Sequence, residues 1–110
     1  MVAAKAADID LAREFVGSVR GMIGAELKKA FLFGSRAKGV ALAGSDYDIL
    51  LVLKHRDGKL IDTIYEAVMD YLLDRKVDVS LKIYSEDRFL HDLQLGVPFA
   101  TEVAATGVPL

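Results

Sequence analysis

The sequence predicts an α/β domain in which a small mixed β-sheet packs against helices. Two long segments carry apolar residues at helical spacing, and short apolar runs bounded by glycine or polar residues lie between and after them. This alternation of helical and strand-like segments is typical of an α/β fold. A chain of 110 residues can bury one core, so we expect a single domain over 1–110.

The first half of the chain begins with an amphipathic helix from Asp8 to about Leu27, and Asp8 is placed to cap its start. Residues 29–33 are a short apolar strand that Gly34 ends. Ser35 can cap a short helical turn directly after it. Because phosphates tend to bind where a strand turns into a helix through a glycine, this turn is a candidate anion site.

The middle of the chain contains two further strands and a long helix. A glycine-containing loop over 39–45 leads to a strand over 46–53, whose nearly continuous apolar character predicts burial on both faces. A polar turn and a helix with an apolar stripe between 61 and 72 come next. A third strand is expected at about 77–83.

Two shorter helices are predicted at the end of the chain. Ser85 can cap the first of them, which ends near Gly96. Pro98 suits the first position of the last helix, which Gly107 would stop. The whole predicted order is helix, strand, turn, strand, helix, strand, helix, helix.

Composition narrows the function classes. The formal net charge is -2 with both signs interspersed, which argues against direct nucleic-acid binding. The absence of cysteine excludes disulfides and thiolate metal sites. The absence of disulfides fits a reducing cytoplasm, where we expect the protein. No apolar stretch is long enough to cross a membrane, so we expect it to be soluble. Hydrophobic residues make up 53% of the chain, which favours a protein partner, although alanine and small aliphatic residues in helices explain the excess equally well.

The most informative motif is Gly34-Ser35, followed after ten intervening residues by Asp46-Tyr47-Asp48. Alternate side chains of a strand share a face, so Asp46 and Asp48 point the same way, roughly 6–7 Å apart along the backbone. Carboxylate pairs of this kind suit Mg²⁺, and the glycine-serine turn can hold the phosphates that Mg²⁺ accompanies. The motif therefore predicts a site for a nucleoside triphosphate.

A third carboxylate strengthens this interpretation. Asp78 lies in the predicted third strand, where aspartate is disfavoured and a buried carboxylate needs a partner. If the second and third strands are neighbours, Asp46, Asp48 and Asp78 can converge and hold two Mg²⁺ ions for phosphoryl or nucleotidyl transfer. Each aspartate taken alone could equally be a turn, edge or solvent-facing residue.

The joint pattern of Gly34-Ser35, Asp46-x-Asp48 and the later strand residue Asp78 resembles the minimal nucleotidyltransferases (MNT) of the DNA polymerase beta-type superfamily. The resemblance covers nearly the whole chain and implies the nucleotidyltransferase fold. It implies that Asp46 and Asp48 ligate both metals, and that Asp78 ligates the catalytic metal and helps the attacking hydroxyl to lose its proton. Gly34 and Ser35 would hold the triphosphate.

Two positively charged side chains in the same turn are secondary candidates for binding the triphosphate. Arg36 could reach a phosphate or the charge developing on pyrophosphate, and Lys38 stands where relatives often have arginine. A solvated helix face explains both residues equally well. Tyr47 points away from the two aspartates and is expected to pack rather than react.

The resemblance implies transfer of AMP from ATP to a hydroxyl acceptor with release of pyrophosphate. Because no acceptor-binding module is recognisable, it points to an antitoxin that adenylylates a tyrosine of a small helical HEPN ribonuclease toxin. One alternative is a non-catalytic antitoxin or complex subunit with the same fold. A more distant alternative is an antibiotic-type nucleotidyltransferase, which usually carries an additional helical domain.

Overall fold

The computed structural model describes residues 3–110. They form one β-sheet with helices on both of its faces. The predicted α/β class and the order of the predicted elements are confirmed, and one further short strand is present. In chain order the elements are α1 (Ala6–Ile23), a 3₁₀ turn (Gly24–Glu26), β1 (Leu27–Phe33), α2 (Gly34–Ala37), β2 (Tyr47–Leu53), α3 (Gly58–Arg75), β3 (Val79–Ser85), α4 (Glu86–Leu95), α5 (Pro98–Thr106) and β4 (Val108–Pro109).

Strand β2 lies inside the sheet, whose strand order is β3-β2-β1-β4. It runs antiparallel to β1 and parallel to β3, so the sheet is mixed, as the sequence predicts. Every side chain from Ile49 to Leu53 is fully buried. The prediction that this strand is central and buried on both faces is therefore confirmed.

The side chains of β2 alternate between two apolar cores. Ile49, Leu51 and Leu53 pack with residues of α1 and α3 on one face of the sheet. Leu50 and Val52 pack with residues of α4 and α5 on the other face. Each residue of the apolar run thus has a core to enter, which explains why the strand shows no polar alternation.

Helix α1 differs from its predicted bounds at both ends. It begins at Ala6 with Lys5 in the capping position, so Asp8 lies inside the first turn and does not cap the helix. It ends before Gly24, whose φ of 58° leaves the helical region, and Leu27 already belongs to β1. Asp8 is instead buried, at 7% exposure, which requires another role for its carboxylate.

The ends of the last two helices agree with the prediction. Ser85 caps α4 by accepting a hydrogen bond from the backbone N–H of Arg88 at 3.2 Å. Gly96 takes a left-handed φ of 70° directly after α4, and Pro98 opens α5, which Gly107 follows.

Two features of the sheet were not predicted. Strand β4 pairs with the edge of β1, placing Val108 opposite Leu32. Two residues are too few to show a periodicity, so this strand had no signal in the sequence. Strand β3 begins at Val79, so Asp78 precedes the strand instead of lying within it. No helix within residues 3–110 is long and apolar enough to cross a membrane.

Candidate active site

The two aspartates of the motif lie at the beginning of β2. Asp48 is the second residue of the strand and Asp46 directly precedes it. Tyr47, between them, is buried in the core beneath α1. Since alternate residues of a strand face opposite sides, Asp48 faces the side on which α4 and α5 pack. The prediction that Tyr47 packs on the opposite face is confirmed.

The glycine-serine turn touches Asp48 directly. The antiparallel register of β1 and β2 places Phe33 opposite Asp48, so Gly34 begins next to that carboxylate. Gly34 has a φ of 72°, and a Cβ added there would lie 2.2 Å from Oδ2 of Asp48. Only glycine therefore allows this approach. The two halves of the sequence motif meet at this contact.

Asp78 lies beside the start of β2. Its carbonyl oxygen accepts a hydrogen bond from the backbone N–H of Tyr47 at 2.9 Å, and Tyr47 pairs with Val79 in the parallel register. The second and third strands are therefore neighbours, as the convergence of the three aspartates requires. The Asp78 side chain is exposed and stands one residue before β3.

The carboxylates of Asp46, Asp48 and Asp78 do not form a preformed metal-binding cluster. Among residues 3–110, no three acidic, histidine or cysteine side chains are close enough together to hold a metal ion. The convergence of Asp46, Asp48 and Asp78 on a bound metal ion therefore stays a prediction. Carboxylates without a cation between them repel one another, and the exposed side chains of Asp46 and Asp78 are free to point into solvent.

The electrostatic state of Asp48 favours a cation. Burial raises the pKa of the Asp48 carboxyl above its ordinary value, and the negative charge of Asp46 raises it further. No hydrogen bond or positively charged neighbour among the described residues offsets these two effects. The donor set at the start of β2 consists of oxygen atoms, which are the ligands that Mg²⁺ prefers. The residues present therefore fit a divalent cation held by Asp46 and Asp48.

Ser35 and Lys38 lie in or directly after the short helix α2. The helix begins at Gly34 without a side-chain cap, so the predicted cap by Ser35 is not present. Lys38 forms an ion pair with Glu102 of α5 at 3.4 Å. Both side chains of this pair are more than half exposed, so the pair is weak and Lys38 can turn to another anion.

The contacts of Arg36 with other described residues lie inside the domain. Its guanidinium pairs with Asp8 of α1 at 2.8 Å and donates two hydrogen bonds to the carbonyl oxygen of Ser45. It also lies 4.0 Å over the ring of Tyr47, on the side of β2 opposite Asp48. Contact between Arg36 and a phosphate stays a prediction, and the structure places this side chain away from the carboxylate face.

Asp8 pairs with Arg36 and does not have the helix-capping role that the sequence predicts. It belongs to the same helical stripe as the buried residues Ala12, Phe15 and Val19. An acid on the core-facing stripe of a helix requires a buried partner. That position was the available signal, but the sequence alone does not name the partner, which is 28 residues away.

A small cavity adjoins the glycine-serine turn. It encloses about 130 Å³ between α2 and α5. Phe33 and Phe99, whose rings meet edge to face at 5.2 Å, form part of its wall, and Lys38 and Glu102 lie at its side. Gly34 is therefore common to this cavity and to the contact with Asp48.

The sequence pattern of the nucleotidyltransferase domain family matches residues 12–100. The chain belongs to this family. The matched segment contains both halves of the motif and the three aspartates of the candidate site. Nucleotidyl transfer is therefore the class of activity to which this nucleotidyltransferase domain belongs, and the predicted family is confirmed.

A solved structure supports the fold of the nucleotidyltransferase domain. The domain is similar to a chain in the crystal structure of a mutant toxin–antitoxin complex, MntA-HpeT, with a TM-score of 0.52 and 14% sequence identity. The match covers 87% of this chain and 69% of the other. No curated protein matches the sequence. At this level of identity the structural match shows a common fold.

Replacing Gly34 by alanine tests the contact with Asp48. Gly96 has nearly the same φ, 70° against 72°, but a Cβ there meets open space. We expect Gly96→Ala to cost about 1–2 kcal/mol from backbone strain alone, and Gly34→Ala to cost more because the Asp48 carboxylate must move. Urea unfolding of both variants measures the difference. Equal losses of stability would contradict the close approach.

The raised pKa of Asp48 predicts a pH dependence of stability. A carboxyl whose pKa is higher in the folded than in the unfolded state binds more protons when folded, so the free energy of unfolding falls as pH rises through both pKa values. In a chelator, we expect Asp48→Asn to be more stable than wild type at pH 7. The gain should disappear below the unfolded pKa of about 3.9.

Thermal unfolding between pH 3 and pH 7 measures this effect, with Asp62→Asn as the control at an exposed position. A gain of the same size at both ends of the pH range would show that the carboxylate charge is not its cause.

Proposed function

We propose that this domain transfers AMP from ATP to a hydroxyl acceptor and releases pyrophosphate, and that Mg²⁺ is required. The observation that carries this proposal is the contact between Gly34 and Asp48 in a member of the nucleotidyltransferase family. It joins a turn suited to phosphates with a carboxylate suited to a cation. Such a contact supports binding of a triphosphate together with its metal.

Each site residue has a distinct part in the proposal. Asp46 and Asp48 hold Mg²⁺, which when bound would neutralise charge on the phosphates and on the leaving pyrophosphate. The Ser35 hydroxyl and the Gly34 backbone amide donate hydrogen bonds to phosphate oxygens. Lys38 exchanges its weak ion pair with Glu102 for the triphosphate.

The bond changes of the proposed reaction balance with one proton released. The acceptor hydroxyl oxygen forms a bond to the α-phosphorus of ATP. The bond from the α-phosphorus to the bridging oxygen breaks, and pyrophosphate leaves with that electron pair. Asp78, whose backbone is hydrogen-bonded to β2 beside Asp46, takes the hydroxyl proton and contributes a further metal ligand.

The proposed acceptor is a tyrosine of a small helical HEPN toxin in the cytoplasm, with this domain as the antitoxin. The fold shared with a chain of the MntA-HpeT toxin–antitoxin complex supports a toxin partner. The mutant in that crystal structure carries two aspartate-to-glutamate changes two positions apart. Asp46 and Asp48 of this chain have the same spacing. The shared spacing supports the same pair of site aspartates, and the shared fold supports the same kind of partner.

A non-catalytic antitoxin is the second candidate, because the domain exposes large apolar side chains that a partner could cover. Leu42 is 79% exposed, Leu95 67% and Leu73 63%. Such surface supports protein binding whether or not AMP is transferred.

The test is incubation of the purified domain with Mg²⁺, α-labelled ATP and the product of the neighbouring gene, followed by intact mass. We expect the partner to gain one or more AMP units with the wild-type domain and none with the Asp46→Asn/Asp48→Asn variant. Asp62→Asn, at an exposed position of α3, serves as the matched control and should transfer normally. A stable complex without transfer would favour the non-catalytic antitoxin.

The role of Asp78 can be tested separately from the roles of Asp46 and Asp48. If Asp78 removes the hydroxyl proton, Asp78→Asn should still bind ATP but transfer AMP at least about 100-fold more slowly. Single-turnover rates, with ATP binding measured in parallel by calorimetry, provide this comparison. Wild-type rates in the variant would remove Asp78 from the proposed chemistry.

A further inference from the structure

Arg36 is the centre of a cluster on the side of β2 opposite Asp48. Its Nη1 donates to Oδ1 of Asp8 at 2.8 Å, and its Nε and Nη2 donate to the carbonyl oxygen of Ser45 at 3.0 and 2.8 Å. The Tyr47 hydroxyl donates to the same oxygen of Asp8 at 3.1 Å. We call Asp8, Arg36 and Tyr47 the buried anchor. It joins α1, α2 and β2 in one closed set of contacts.

The buried anchor holds the backbone on both sides of Asp46. The carbonyl of Ser45 belongs to the peptide plane that ends at the Asp46 nitrogen, so fixing this oxygen fixes the plane. Tyr47, directly after Asp46, is held by its ring and by its hydroxyl. Arg36 itself follows Ser35 in sequence. One guanidinium therefore links the glycine-serine turn to the first aspartate of the motif.

The chemistry of these contacts requires arginine and an acid. A guanidinium has several donors in one plane, so it can bind a carbonyl oxygen with two nitrogens and a carboxylate with a third. The Arg36 and Asp8 side chains are only 13% and 10% exposed, so each charge needs the other. The Tyr47 hydroxyl donates to the same Asp8 oxygen as Arg36, so this carboxylate has two donors.

We infer that Asp8 and Arg36 are positioning residues for the metal site. Asp8 orients Arg36, and Arg36 holds the Ser45–Asp46 peptide at a fixed place relative to the glycine-serine turn. Cation binding by Asp46 and Asp48 then depends on a residue of α1 that lies on the other side of the sheet. This inference rests on the proposed function, because it concerns the cation of that site.

The chain offers a matched control with the same residue types. Tyr71 donates to Oε2 of Glu14 at 2.8 Å, and Arg75 pairs with the same carboxylate while lying 5.1 Å from the Tyr71 ring. This second cluster also takes its acid from α1, but it joins α1 to α3 and is about half exposed. It thus repeats the chemistry of the buried anchor away from the Ser45–Asp46 peptide.

The test measures cation affinity instead of activity. Mn²⁺ takes the same oxygen ligands as Mg²⁺ and its free concentration is read by paramagnetic resonance. Titrations at a temperature where every variant is folded compare wild type with Asp8→Asn and Arg36→Lys, and with the controls Glu14→Gln and Arg75→Lys. We expect about tenfold or greater weakening for the first two variants. The controls should stay within about twofold of wild type.

Two further comparisons distinguish a positioning role of Asp8 and Arg36 from a merely structural one. Amide hydrogen exchange over residues 44–48 should be faster in Asp8→Asn and Arg36→Lys than in the controls. If Asp8→Asn does not fold, Arg36→Lys, which keeps the charge and loses only the planar fork, decides the question. A lower melting temperature with wild-type Mn²⁺ affinity would show a merely structural role and overturn the inference. A wild-type chain that binds no Mn²⁺ would overturn the proposed function, and the inference with it.

Discussion

Strand β2 is held in one register by contacts along both of its edges and on both of its faces. A shift of one residue would exchange its two sets of side chains, so that Asp48 would enter the core beneath α1 and Tyr47 would leave Asp8. The fully buried run from Ile49 to Leu53 makes such a shift costly. The placement of the site aspartates therefore depends on apolar packing farther along the same strand.

The glycine-serine turn places two positively charged side chains in opposite environments. Arg36 lies in the interior, where its planar group satisfies a carboxylate and a carbonyl at once. Lys38, two residues later, lies at the surface with a loose ion pair to Glu102. A rotation of about 200° around a helical turn separates the two side chains. The planar guanidinium suits a fixed geometry, and the flexible ammonium suits a ligand that binds reversibly.

The environment of Asp48 at the start of β2 lowers the stability of the domain when no cation is bound there. Asp48 is half-buried beside Asp46, and nothing within residues 3–110 compensates for its charge. Gly34 must take a left-handed conformation against it. Groups held in this way are typical of functional sites, where the surrounding fold over-determines an unfavourable arrangement. Here the packed β-sheet and the buried anchor provide that surrounding structure.

The sequence by itself determined the α/β class, the order of the main elements, the burial of β2 and the opposite faces of Tyr47 and Asp48. These properties depend on local periodicity and on spacing within one strand, which a sequence displays directly. Tertiary structure alone decided the addition of β4, the position of Asp78 before β3 and the burial of Asp8 against Arg36. The Asp8–Arg36 pair joins residues far apart in the chain, and local patterns contain no information about which distant charge will share a buried place.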